Sequence, residues 1–136
     1  MRHFFVMLWL GVSLFATQLH WYDEYNEALR VAQKSNKPVY IFISSAQCGW
    51  CQKFENTTLQ DEAVKKRLYQ EFVVVHLVRD FDDIPKKFKT APVPRHYFVD
   101  SNGTIVYDSL GYRDVDTFEA FMGYAKEQIK TKEKEQ

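Results

Sequence analysis

The sequence predicts an α/β fold with a mixed central sheet flanked by helices. The unbroken apolar run at residues 39–43 is typical of a strand buried on both faces of a parallel sheet. A second such run, at residues 73–78, follows after helical segments, so the two strands should run parallel through a right-handed crossover. Asn102-Gly103 then lies between two short apolar runs, which indicates a hairpin whose strands are antiparallel.

Apolar residues at helical spacing predict the helices that surround these strands. A first helix is expected over residues 21–32, with Asp23 at its N-cap and a stop at residues 36–38. After the first strand comes a helical stretch that carries Phe54 and Leu59. These helices would occupy the connection that a parallel pair of strands requires.

The second half of the chain is predicted in the same way. Asp61 can cap a helix that leads into the second strand, and residues 79–92 are polar, with room for one helical turn at residues 86–89. Hairpin strands are expected at residues 96–99 and 104–107.

The last helix should begin near Asp114 or Asp116 and fray into a charged, solvated tail from about residue 130. Its inward face would carry Val115, Phe118, Phe121, Met122, Ala125 and Ile129.

Length and composition argue against several classes of protein. The chain has 136 residues, of which 46% are apolar, and this suits one domain with a single core. Its 18 basic and 18 acidic residues balance, which argues against a nucleic-acid-binding protein. Two cysteines cannot form a four-cysteine zinc site or a disulfide-rich scaffold. We expect neither a metal nor a cofactor.

Residues 1–16 have the pattern of a signal peptide, and the domain is expected over residues 17–136. Arg2 and His3 precede an apolar run that is shorter than the roughly 20 residues a membrane-spanning helix needs. Ala16 fits a cleavage point, but Leu14 departs from the small residue preferred at −3, so an uncleaved membrane anchor is the alternative. Both interpretations place the domain outside the cytoplasm, and we expect the periplasm, where cysteine pairs oxidise.

The two cysteines form the motif Cys48-Gly49-Trp50-Cys51 between a predicted buried strand and a helix. A thiol at the N-terminus of a helix faces unpaired N–H groups and the positive end of the dipole, which favour the thiolate. The spacing puts Cys51 one turn deeper and close enough to bridge to Cys48. Cys48 is therefore the expected attacking thiolate and Cys51 the resolving thiol. Gly49 permits the tight turn, and Trp50 offers an aromatic surface beside the sulfurs.

Other uses of the pair are less consistent with the sequence. A purely structural disulfide would close a very small loop and stabilise the fold little. Covalent haem attachment needs a histidine where Gln52 stands. A metal site would need two more ligands, whereas His20, His76 and His96 are scattered along the chain.

The motif in this context resembles the thioredoxin-like superfamily, in particular its exported single-domain thiol–disulfide oxidoreductases with a Cys-Gly-Trp-Cys centre. The resemblance covers roughly residues 21–130. It rests on Ala28-Leu29, Lys37-Pro38-Val39, the motif followed by Phe54-Glu55, and Val93-Pro94 ahead of Tyr97-Phe98-Val99-Asp100.

The resemblance implies roles for the residues before the hairpin. In the family, the proline at this point is cis and faces the cysteine pair. Pro94 holds that position, with Pro92 as the competing candidate. Val93 would then offer its main-chain N–H and C=O to an extended partner segment. Arg95, where a small hydroxyl residue is more usual, either points toward Cys48 and stabilises its thiolate or is solvated.

Two departures from the family pattern concern proton transfer and the motif's flank. The buried acid that family members carry six residues before the first cysteine is replaced here by Phe42, and Gln47 replaces the flanking tryptophan. Glu55, one turn beyond Cys51, could accept the proton of the resolving thiol, or could be an ordinary surface carboxylate.

We therefore expect an exported monomeric thiol–disulfide oxidoreductase, a reductase rather than an oxidase. Its partners would be proteins with disulfides or thiols, and a membrane-bound electron donor would supply its electrons. The alternative is a binding module that recognises an extended partner chain at Val93-Pro94 without redox turnover.

Overall fold

The centre of the fold is a strand of six buried residues, Val39–Ser44, in the computed structural model, which describes residues 18–135. The strands and helices follow the order β1 (Trp21–Tyr22), α1 (Tyr25–Ser35), β2 (Val39–Ser44), α2 (Gly49–Asn56), a short 3-10 helix (Thr58–Gln60), α3 (Glu62–Glu71), β3 (Val73–Val78), β4 (Arg95–Val99), β5 (Ile105–Leu110) and α4 (Val115–Lys134).

The strands form one mixed sheet in the order β1-β3-β2-β4-β5. β2 runs parallel to β3 and antiparallel to β4, and β5 returns antiparallel to β4 through the turn that contains Gly103. The predicted α/β class, the parallel pair and the hairpin are confirmed. Because β2 has a neighbour on each side and helices over both faces, all its residues are apolar except the last, Ser44.

Side-chain alternation along the sheet divides the core into two layers. The layer beneath α2, α3 and α4 is rich in aromatic rings and includes Tyr40, Phe42, Phe54, Phe98 and Phe118. The layer beneath α1 is mainly aliphatic and includes Ile41, Ile43, Val75, Leu77 and Val99. Burying each such side chain contributes about 1.5–3 kcal/mol, so the two layers hold the helices against the sheet.

The predicted start of the first helix, Trp21, is wrong by four residues, and its predicted N-cap, Asp23, is wrong by one. Trp21 and Tyr22 form the edge strand β1 and pair with Val74 and Val75 of β3. The helix begins at Tyr25, because the Glu24 carboxylate accepts hydrogen bonds from the next main-chain N–H groups, those of residues 26 and 27. A glutamate can cap a helix in this way, although shorter polar side chains are the usual N-caps.

Three further boundaries differ from expectation. Leu59 lies in the separate 3-10 helix, after α2 has ended at Asn56. In place of the helical turn predicted at residues 86–89, residues 85–88 form a single turn closed by a hydrogen bond from Phe88 N–H to Pro85 C=O. The last helix continues to Lys134 and thus includes most of the charged segment predicted to fray. Exposed helix of this kind persists on backbone hydrogen bonds and good helix formers such as Lys and Glu.

The predicted helix caps Asp61 and Asp114 are both observed, each accepting main-chain N–H groups of the following turn. Within residues 18–135, no helix is both long enough and apolar enough to cross a bilayer. The predicted signal peptide, residues 1–16, lies outside the described residues.

The hairpin turn is fixed by a close approach at Gly103. Its φ angle is +87°, and a Cβ placed there would lie 2.9 Å from the hydroxyl of Tyr25. That hydroxyl and the Gly103 carbonyl both accept hydrogen bonds from Lys87 Nζ, at 2.8 and 2.7 Å. The glycine therefore lets the hairpin, α1 and the loop before β4 meet at one point.

We expect Gly103→Ala to destabilise the protein more than Gly111→Ala does. Both glycines have positive φ, which costs a non-glycine residue about 1–2 kcal/mol, but Gly111 has open space around it. The contact with Tyr25 should add about 1 kcal/mol or more at Gly103. Urea unfolding of the two variants measures the difference, and equal losses would contradict the steric argument.

Candidate active site

Cys48 and Cys51 form a disulfide at the N-terminus of α2, the helix that follows the central strand β2. Cys48 is the N-cap of α2, with an extended backbone, and its Sγ accepts the main-chain N–H of Cys51 at 3.1 Å. Cys51 lies in the first turn of the helix and is 1% exposed, whereas Cys48 is half-buried. Their Cα atoms are 5.2 Å apart, and the predicted bridge is confirmed.

This geometry favours a thiolate at Cys48 once the disulfide is reduced. The sulfur occupies the position at which a capping oxygen normally satisfies the free N–H groups of a helix. The first turn of α2 contains no acidic residue that would neutralise the positive end of the helix dipole. A sulfur anion at Cys48 is thus stabilised, while a sulfur at Cys51 is shielded from solvent.

An exposed aromatic surface lies next to the disulfide. Trp50 is 60% exposed, and its ring lies 5.9 Å from the ring of Tyr112. The ammonium of Lys53 lies over both rings, 5.0 Å from the centre of Trp50 and 4.8 Å from that of Tyr112. This cation–π arrangement holds the Trp50 side chain beside the motif.

The loop before β4 lies at the same end of the sheet as the cysteine motif. Arg95 pairs with Ile43, so Pro94 and Val93 continue past the end of β2, where the cysteine loop starts. The Val93–Pro94 peptide bond is cis, as the resemblance implies, and the Ala91–Pro92 bond is cis as well. Within residues 18–135, the main chain of Val93 makes no hydrogen bond, whereas the Pro94 carbonyl accepts Gly111 N–H at 2.8 Å.

Arg95 is neither solvated nor bonded to the cysteine pair. It is 8% exposed and alternates along β4 with His96, which places it on the α1 side of the sheet, opposite α2. Its guanidinium donates to the Ala91 carbonyl at 3.2 Å, and its Nε has no partner in the part of the chain described. Arg95 thus holds the loop of Pro92 and Pro94 through the Ala91 carbonyl, a role that the sequence did not suggest.

Beneath α2, Phe42 forms the centre of an aromatic cluster. Its ring stacks on His76 at 4.7 Å and on His96 at 5.8 Å, and it packs against Phe54 at 5.2 Å. The position at which the family carries a buried acid therefore holds a fully buried phenyl ring between two imidazoles.

Glu55 faces one of these imidazoles. Its Oε1 lies 3.6 Å from Nε2 of His76, and the same nitrogen lies 2.7 Å from the hydroxyl of Ser44. Both side chains of the Glu55–His76 pair are about one-third exposed. Glu55 is therefore not simply a surface carboxylate, since it belongs to a polar cluster at the inner side of α2.

A family model described as Thioredoxin-like matches residues 20–101, more than half of the chain. The chain belongs to the thioredoxin-like family. A curated relative, the anterior gradient protein 2 homolog of Homo sapiens, is 32% identical over 94 residues, which are 69% of this chain and 53% of that protein. The chain thus spans about half the length of this relative, and 9% of spermatogenesis-associated protein 20 from the same species.

Solved structures agree on the fold of this thioredoxin-like chain. A thioredoxin from Thermus thermophilus superposes with a TM-score of 0.64 at 23% identity, covering 84% of this chain and 88% of that one. A protein described as DsbH Oxidoreductase gives a TM-score of 0.61 at 21% identity, covering 83% and 85%. At these identities the likeness establishes the thioredoxin-like fold alone.

Sequence reasoning named His76 and His96 only as scattered histidines. The strand register places both beside Phe42, since Phe42 pairs with His76 of β3 and with His96 of β4. His76 does interrupt an apolar strand, but nothing in the pattern of residues 39–43 shows which residue of β2 lies beside it. Among the described residues, no group of three His, Cys, Asp or Glu side chains is arranged to hold a metal ion.

The hydrogen bonds of His96 define a neutral ring. Its Nε2 lies 2.8 Å from the Gly111 carbonyl, which can only accept, so Nε2 carries the proton and Nδ1 accepts from the Tyr40 hydroxyl at 2.7 Å. Burial lowers the pKa of His96 to about 4, helped by the nearby Arg113 charge and opposed by the Gly111 hydrogen bond.

We expect the thioredoxin-like domain to lose stability as the pH falls from 7 to 5. Because the pKa of His96 is lower in the folded protein than in the unfolded chain, the unfolded chain binds the proton first, and acid favours unfolding. The contribution over this range is about 2 kcal/mol. Urea unfolding at each pH measures it, and His76, whose pKa is also lowered, adds to the slope.

Two variants test the assignment to His96. His96→Gln should be less stable at pH 7 but should show a shallower dependence on pH. Exposed His20 provides the matched control, and His20→Gln should keep the parental slope. An unchanged slope in His96→Gln would contradict the assignment.

Proposed function

We propose that this protein is an exported thiol–disulfide oxidoreductase that exchanges disulfides with partner proteins, chiefly as a reductase. The observation that carries the proposal is the Cys48–Cys51 disulfide, with one sulfur at the N-cap of α2 and the other buried one turn below. This division suits a pair in which one thiol meets the partner and the other completes the exchange.

In the reducing direction, the Cys48 thiolate attacks one sulfur of a partner disulfide. A mixed disulfide forms, and one partner thiolate leaves. Cys51 then loses its proton and attacks Sγ of Cys48, so that the bond to the partner breaks and the second partner thiolate leaves. Both released thiolates take up protons. The partner has gained two electrons and two protons, and the protein ends with the disulfide described above.

The partner would bind as an extended segment beside the motif. The free main-chain groups of Val93 can pair with such a segment, and Trp50, next to the cysteines in the motif, offers exposed apolar surface. Contact through main-chain groups and one aromatic ring selects for accessible backbone more than for a particular sequence. Protein disulfides in locally unfolded segments fit this requirement.

Export and the direction of electron flow complete the proposal. The signal-peptide pattern of residues 1–16 supports export, with the periplasm as the proposed compartment and a membrane anchor if the segment is retained. A reductase in an oxidising compartment must be reduced again after each turnover. A membrane-bound donor with a thiol pair would supply the two electrons.

We expect Cys51→Ala to accumulate mixed disulfides with partner proteins through Cys48. Without the second thiol, the intermediate is resolved only by outside thiols, so its lifetime rises. Non-reducing gel electrophoresis of the captured species, before and after dithiothreitol, measures the yield. Cys48→Ala is the matched control and should trap far less, since its remaining thiol is buried.

The same experiment separates the proposal from a binding module that recognises extended chains at Val93-Pro94. The unbonded main chain of Val93 favours that second candidate, since it serves binding with or without redox turnover. A binding module would keep its partner under reducing conditions and would bind equally well in both cysteine variants. That outcome, together with no reduction of insulin disulfides by the parent protein, would exclude the oxidoreductase.

A further inference from the structure

The resolving thiol is buried in a largely apolar layer. Cys51 is 1% exposed and shares its layer with Phe42 and Phe54. Burial in apolar surroundings favours the neutral thiol, yet only the thiolate attacks the mixed disulfide. An acceptor near Cys51 would therefore speed the second step of the exchange.

Glu55 is placed to be that acceptor. It follows Cys51 by four residues on α2, a spacing that puts two side chains on the same helix face with Cβ atoms about 5–6 Å apart. Its carboxylate is turned inward toward His76, at 3.6 Å from Nε2. Glu55 thus shares a helix face with the buried thiol and contacts a second titratable group.

His76 is held in place by neighbours on three sides. Nε2 lies 2.7 Å from the Ser44 hydroxyl, the ring stacks on Phe42, and its centre lies 6.4 Å from the centre of the Trp21 ring in an edge-on arrangement. Burial lowers the pKa of His76, whereas the charges of Glu55 and Asp82 raise it. The ring is therefore largely neutral at pH 7 and able to accept a proton.

A cavity of about 450 Å³ connects this pair with the surface. Glu55 and His76 line it together with Phe42, and Lys65 of α3 is the other charged residue in its wall. Exposed Gln60 stands at its rim. The volume holds several water molecules, at about 30 Å³ each, and the polar groups supply hydrogen-bond partners for them.

We propose that Glu55 and His76 act as a pair that takes the proton from Cys51 and passes it to water in this cavity. The proton leaves Sγ of Cys51 for the Glu55 carboxylate as Sγ attacks Cys48, and His76 shares it and releases it to solvent. In the opposite direction, the pair returns a proton to Cys51 when the disulfide is reduced. The inference rests on the proposed function and identifies how its second step is completed.

A chromogenic disulfide separates the two steps of the exchange. In rapid mixing of the reduced full chain with one equivalent of 5,5′-dithiobis(2-nitrobenzoate), the first thionitrobenzoate is released by attack of Cys48. The second is released when Cys51 resolves the mixed disulfide, and Cys51→Ala should lose this phase alone. The rate of the second phase is measured from pH 5.5 to 9.5.

We expect Glu55→Gln to slow the second phase about 10- to 100-fold near pH 7 and to leave it nearly unchanged above the thiol pKa, where hydroxide serves as the base. His76→Gln should shift the same profile with a smaller loss, about threefold, because it acts through Glu55. The exposed residues Glu127 and His20 provide matched controls, and Glu127→Gln and His20→Gln should follow the parent.

The possible results distinguish a failure of the Glu55–His76 pair from a failure of the proposed function. Parental second-phase profiles in both Glu55→Gln and His76→Gln would overturn the inference, and a shift in Glu55→Gln alone would overturn the part assigned to His76. Unfolding curves establish that the variants are folded, and Ser44→Ala, which removes only the hydroxyl that holds His76, gives a second test if His76→Gln is unstable. If the parent itself shows no second phase, the proposed function fails instead.

Discussion

The hydrogen bond from Cys51 N–H to Sγ of Cys48 is the interaction on which the candidate site depends. It places one sulfur at the end of α2, where a helix offers unsatisfied donors, and the other inside the first turn. The six buried residues of β2 fix where that helix begins, because the chain must leave the sheet directly before the motif. Difference in reactivity between two identical side chains thus follows from the position of each along one helix.

The layer beneath α2 combines tight aromatic packing with a few polar groups that are all accounted for. Phe42 contacts rings from β3, β4 and α2, so four elements are joined at one side chain. His96 satisfies both ring nitrogens inside this layer and remains neutral, whereas His76 lies at its margin beside a cavity. Two histidines that stack on the same phenyl ring therefore have different surroundings, since one is enclosed in the core and the other lines a cavity.

Features that depend on local pattern could be predicted from the sequence. Residues 73–78 were predicted as a strand with the observed bounds because a valine-rich run, interrupted only by His76, ends at the charged Arg79. The cysteine motif and the caps Asp61 and Asp114 are also local patterns. The fold class followed because two apolar runs separated by helices permit few arrangements.

Features that depend on pairing between distant segments were missed. Trp21 matches the helical spacing of the residues after it, but its partner is a strand more than 50 positions later. The side of the sheet that Arg95 occupies is decided by its register with β2, which no local pattern shows. The grouping of Glu55 with His76 likewise requires that α2 and β3 already be in place.

The lysine above the rings of Trp50 and Tyr112 also gives the entrance to the site a positive charge. Lys53 follows Cys48 by five residues, about 7.5 Å along the helix axis, and its ammonium is kept over Trp50 and Tyr112. That separation is within one Debye length at physiological ionic strength, about 8 Å. Under the proposed function, partner chains with carboxylates near their sulfurs are attracted and those with ammonium groups are repelled, so the encounter rates depend on ionic strength.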